Sequence, residues 1–207
     1  MTLLERRRAM MAQVESGGGR LPSAYQEIQY IEGTSADQYI DSGWLYTDDF
    51  EIAAKIYFTA TEQTFYRDEV GNFSFRFIFA SNIKARFDLG ATNRYIYYNN
   101  PADLPAVRDY RTYTIPFKAG EQVEIDVDGY RVSGSCANSA AKTITHKFAK
   151  GRQKLYGYQI ISESVLVRDF VPCYRKSDSE PGMYDLISRR FFANAGTGEF
   201  LVGPDIN

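Results

Sequence analysis

Residues 155–203, LYGYQIISESVLVRDFVPCYRKSDSEPGMYDLISRRFFANAGTGEFLVG, limit the fold more than any other stretch of the chain. Two apolar runs, 155–161 and 164–171, flank a break at Ser162 and Glu163 and read as paired strands. After Pro172 a polar loop spans 176–182, with Pro181-Gly182 as its strongest turn signal. A short strand at 183–187 follows. A last hairpin then turns through Asn194-Ala-Gly-Thr-Gly198 into a strand at 200–202. Glycines there suit a tight turn with positive φ.

Strand-like segments fill most of the chain before this point. Residues 25–32 and 38–41 alternate around a turn at 33–37. Residues 49–59 put Phe50, Ile52, Ala54, Ile56 and Phe58 on one face, with Glu51 and Lys55 on the other. Residues 61–72 read as a polar loop, and short strands are expected at 73–80, 83–89 and 94–98. Beyond a Pro-containing loop at 99–109, residues 111–117, 122–127, 130–133 and 143–148 continue the pattern. Short strands joined by turn chemistry at short intervals predict an antiparallel sandwich. No βαβ alternation or internal repeat interrupts them.

Three segments, Leu166-Val-Arg-Asp-Phe-Val-Pro-Cys173, Gly182-Met-Tyr-Asp-Leu186 and Asn194-Ala-Gly-Thr-Gly-Glu-Phe200, carry a resemblance. Together they resemble the C-terminal end of LamG-like, concanavalin A-like jelly-roll domains of phage and prophage tail and minor structural proteins. Residues 21–43 resemble the opening of the same domains, and the likeness is looser over 60–150. It implies an all-β fold, a two-sheet antiparallel jelly-roll sandwich. It also implies a virion setting, with assembly in the bacterial host cytoplasm. It names no ligand.

At the other end, residues 1–16 are expected to form a short α-helix. Thr2 and Glu5 have capping-box spacing, and Leu4, Met11 and Val14 share a stripe with Leu3 and Met10 beside it. So short a helix is marginal alone in water. It should fold against the domain, a copy of itself or another virion protein. Arg6, Arg7 and Arg8 read as its solvated face. Residues 17–20 form a glycine-rich linker before a sandwich domain at 21–207. The triple glycine favours docking elsewhere, on sister helices or in a groove on the particle.

The 207 residues suffice for one sizeable domain, which buries roughly 70% of its unfolded surface and needs no metal or disulfide staple. A formal net charge of −2 argues against nucleic-acid binding. Cys136 and Cys173 read as reduced thiols. The single histidine, His146, leaves little room for a triad or a zinc site. No apolar run approaches the ~20 residues of a membrane span, and none behind Arg8 suits a signal peptide. No cofactor, metal or membrane insertion is expected.

The most suggestive acids are Glu124, Asp126 and Asp128, which project to one face of a strand while Val123, Ile125 and Val127 fill the other. A Glu-x-Asp-x-Glu strand is the active-site pattern of family-16 glycoside hydrolases. Here the third acid is one methylene shorter, and Asp128-Gly129 is a strong hairpin dipeptide. The expectation is therefore an exposed acidic face ending in a turn, without catalysis. Asp178, Glu180 and Asp185 lack the regular carboxylate spacing of a calcium loop. Asp185 is expected to pin a turn, and Arg168-Asp169 to form a local strand-edge pair.

Sixteen Tyr and fourteen Phe accompany one Trp. Aromatics favour strands and binding surfaces alike. Exposed rings with nearby amides suit sugar binding, which makes Tyr95, Tyr97, Tyr98, Asn99 and Asn100 candidate ligand residues. Phe65-Tyr66-Arg67 has similar composition, as do Trp44 and Tyr46, which follow a turn expected at Asp41-Ser-Gly43. The expected function is a non-catalytic phage structural protein of tail-fibre, receptor-binding or decoration type, binding a glycan or another host-surface ligand. The alternative is a purely architectural capsid or tail decoration module. The expected partners are other virion proteins, engaged through Leu3, Leu4, Met10, Met11 and Val14. A homo-oligomer is expected, with a trimer favoured.

Overall fold

The computed structural model describes residues 20–60, 63–67, 73–79, 83–89, 95–97, 111–140 and 142–206. The helix expected at 1–16 and the residues of its linker up to 19 lie outside these. Among the described residues there is no helix, and all strand pairing is antiparallel. The fold is all-β and sandwich-like.

The main sheet is built on β4 (Asp49–Phe58) and β13 (Gln153–Ser162), the two long central strands. On one side β9 (Arg111–Lys118), β10 (Gln122–Val127) and β11 (Tyr130–Ser135) follow β4. On the other, β14 (Val165–Arg175), β15 (Glu180–Asp185) and β16 (Arg190–Ala193) follow β13. Short strands extend it: β1 (Tyr25–Glu27) on β14, β2 (Ile31–Gly33) on β13, and β17 (Leu201–Val202) on β2. The run at 25–32, expected as one strand, is thus two strands with different partners. Between them Ile28 bridges to Asp205, and its N–H donates to the Pro172 carbonyl at 3.1 Å.

A two-stranded ribbon of β3 (Ile40–Leu45) and β12 (Thr145–Phe148) faces this sheet. A further four-stranded sheet comprises β5 (Gln63–Arg67), β6 (Phe73–Phe79), β7 (Ile83–Leu89) and β8 (Tyr95–Tyr97). Its β5 adjoins β12, and Leu89 joins the core. β5 falls where a loop was expected; its Gln-Thr-Phe-Tyr-Arg run is rich in strand-favouring residues.

The core lies between the main sheet and the ribbon. Phe50, Ile52, Ala54, Ile56 and Phe58 all face it, as their alternation predicts. They align with Phe117, Ile115 and Tyr113 of β9 and with Ile160 and Tyr158 of β13. The expected pairing of β13 with β14 also holds, turning at Glu163 and Ser164, both with positive φ.

Candidate functional site

The expected ligand residues fall in three places. Trp44 lies on β3, where Asp41-Ser-Gly43 was read as a turn. Those residues form a bulge instead: Thr145 pairs with Leu45 and Lys147 with Asp41, so β3 carries extra residues. Gly43 takes the positive φ of 63° that this needs, and its N–H donates to Asp41 Oδ1 at 3.0 Å. The strand therefore continues, and Trp44 points inward with only 8% of its surface exposed. Its ring meets those of Tyr46 and Phe50 edge-on, which leaves no open face for a sugar. Tyr95 and Tyr97 lie on β8, opposite Asp88 and Arg86 of β7, and Tyr66 lies on β5 opposite Phe75. Tyr98, Asn99 and Asn100 lie outside the described residues, as do Leu3, Leu4, Met10, Met11 and Val14.

His146 is fully buried, and its ring nitrogens bridge the two layers. Nδ1 is 2.6 Å from the Tyr46 hydroxyl, and Nε2 bonds the Tyr158 hydroxyl on the main sheet. Phe148 stacks on Tyr158 with ring centroids 4.0 Å apart. Burial pushes the imidazole down to about 3, so the ring stays neutral at ordinary pH. One nitrogen then donates and the other accepts. This histidine joins the ribbon to the sheet.

The acids of β10 are occupied by their own hairpin. Arg131 lies 3.3 Å from both Glu124 and Asp126. Asp126 Oδ1 accepts the Gly129 N–H at 2.8 Å. Asp128, with φ 52°, sits in the two-residue turn beside Gly129, with φ 90°. Its carboxylate accepts from Arg111 at 3.0 Å and from the Thr112 N–H at 2.9 Å. These are the contacts of a type I′ hairpin with ion pairs across it.

Arg168 and Asp169 do not pair with each other, because successive strand residues point to opposite faces. Arg168 donates to the Ser42 carbonyl at 3.1 Å on the core side, and Asp169 accepts from Gln159 at 3.1 Å on the other. Asp185 does pin its turn: its carboxylate accepts the N–H groups of Asp169, Ile187 and Ser188 at 2.8, 3.1 and 3.1 Å.

An open cleft of about 430 Å³ lies between the β14–β15 turn and the turn at 194–198, lined by Asp178, Ser179, Glu180, Pro181, Asn194, Gly198, Glu199 and Phe200. Its frame is stiff. Asn194 Oδ1 accepts the N–H groups of Tyr39 and Gly196, each at 3.0 Å, and its Nδ2 donates to the Gly198 carbonyl at 2.6 Å. Gly196 is needed for space, since a Cβ there would lie 1.7 Å from the Asp37 carbonyl oxygen. Gly198 supplies a φ of 79°. Buried Gln38 ties the far side, donating to the Glu199 carbonyl.

The rim is polar and exposed. Arg175 grips Asp178 with Nε at 3.0 Å and Nη2 at 2.7 Å, and it also pairs with Glu180. These hydrogen bonds hold the Asp178 carboxyl below its usual range. The Ser179 hydroxyl and Glu199 carboxylate remain exposed at the mouth. In the sequence Asp178 and Glu180 stand out only as acids without the regular spacing of a calcium loop. The cleft depends on Asn194 and Glu199 arriving beside them from the turn after β16, a proximity no local pattern encodes. Among the described residues no cluster of three His, Cys, Asp or Glu side chains suits a metal ion.

No protein-family model matches this chain, and no curated protein matches it.

Proposed function

We propose that this chain is a non-catalytic structural protein of a phage virion, a concanavalin A-like jelly roll that binds a host-surface glycan. The observation that carries this reading is the convergence of the three resembling segments. Leu166–Cys173 lies within β14, Gly182–Leu186 covers most of β15 and runs into its turn, and Asn194–Phe200 forms the adjoining turn. The cleft opens where β15 begins and that turn closes. Exposed carboxylate, hydroxyl and guanidinium groups around a stiff frame suit the hydroxyls of a sugar. The paired state of Glu124, Asp126 and Asp128 favours binding without hydrolysis.

A glycan array probed with the full chain tests this, followed by a reducing-end assay on every glycan retained. The expected result is selective retention with no release of reducing ends. An array without hits would favour the architectural alternative, and hydrolysis lost in Glu124→Gln would make the protein an enzyme.

A further inference from the structure

Arg175 ends β14 beside the cleft, and its guanidinium is held from two directions. The central carbon lies over the Phe191 ring, 5.3 Å from its centroid. That ring is itself fixed. It lies against Gly182 of β15, where a Cβ would come within 2.8 Å of it, and it stacks on Tyr25 of β1 with centroids 5.4 Å apart. From the other direction come Asp178 and Glu180. Nε and Nη2 both donate to Asp178, and Nη2 also donates to Glu180. Because Nη2 spends both protons this way, neither edge of the guanidinium stays open to a second bidentate carboxylate.

Asp178 thus fills the place that a ligand's carboxylate would take on an open arginine. The described residues lining the cleft include the carboxylates of Asp178, Glu180 and Glu199, and no lysine, arginine or histidine. Ionised carboxylates only accept hydrogen bonds. A sugar hydroxyl can donate to them, whereas a ligand carboxylate has no proton to give and brings like charge against them. The Asn194 amide is already spent on the Gly198 carbonyl. Pro181 and Phe200, both buried, give the cleft apolar surface for the carbon face of a ring.

We propose, on the reading that this cleft binds a glycan, that it takes neutral glycans and rejects acidic ones, with Arg175 as the positioning residue that sets the preference. Braced by Phe191, Arg175 fixes two acceptors at the rim and is itself withheld from the ligand. Acidic glycans are then rejected by unpaired like charge, not merely by a missing contact.

A glycan array printed with matched pairs tests this. In each pair a neutral glycan stands beside the uronic acid that carries a carboxylate in place of its hydroxymethyl group. The full chain should retain the neutral member about tenfold or more above the acidic one. In Asp178→Ala one edge of the guanidinium opens and one carboxylate is gone, so the preference should fall to about threefold or less. Loosening of the rim alone would weaken both members alike and leave their ratio unchanged. Acidic members retained as well as the neutral ones, or better, overturn the proposal and leave glycan binding standing. A ratio unchanged in Asp178→Ala also overturns it. Retention of neither member overturns the proposal together with the reading it rests on.

Discussion

The Tyr46–His146–Tyr158 cluster and the cleft at 178–200 are both built from polar groups at the main sheet, and they differ in what water can reach. At His146 both ring nitrogens are satisfied by tyrosine hydroxyls, and stacked aromatic rings close the site. At the cleft the inner amides of Asn194 and Gln38 are spent on the frame, while Ser179 and Glu199 stay exposed. The comparison teaches that polarity alone does not mark a site. A satisfied buried group is structure, whereas an exposed group on a rigid frame is free to meet a ligand.

The largest expected effect breaks the buried member. Tyr158→Ala removes a ring stacked on Phe148 and His146 and should cost about 3–5 kcal/mol, as large-to-small core changes do. Urea unfolding would measure it. A loss under ~1 kcal/mol would mean that this cluster is not the joint between layers.

A smaller effect comes from pH. His146 titrates near 6.5 unfolded and about 3 folded, so between these values the unfolded chain binds the extra proton. The stability this site supplies is complete above pH 6.5 and is lost as pH falls toward 3, at about 1.4 kcal/mol per unit. His146→Gln should remove that part of the slope between pH 7 and pH 5. Equal slopes in both proteins would show that the imidazole is not sequestered.

Much of the core was legible in the sequence. The five alternating apolar residues from Phe50 to Phe58 could face only one way, and Asp128-Gly129 could form only a tight turn. Asp185 as a turn anchor was legible for the same local reason. Trp44 was not, because one positive φ at Gly43 turns an apparent corner into a bulge and sends the indole inward. The cleft was illegible too. Asn194 and Glu199 meet Asp178 and Glu180 only because β15 and β16 pair and bring two separate turns together.

The smallest expected effect on stability is at the cleft's rim, where surface changes usually stay within about 0.5 kcal/mol. The central claim, that the rim is a ligand site on a rigid frame, is tested most directly by calorimetric titration of an array-selected glycan into the full chain and into a Ser179→Ala, Glu199→Ala double variant. The predicted result is a loss of about tenfold or more in affinity, or roughly 1.4 kcal/mol, with the melting temperature unchanged. Equal affinity in the two proteins would contradict the claim and move the binding surface away from this cleft.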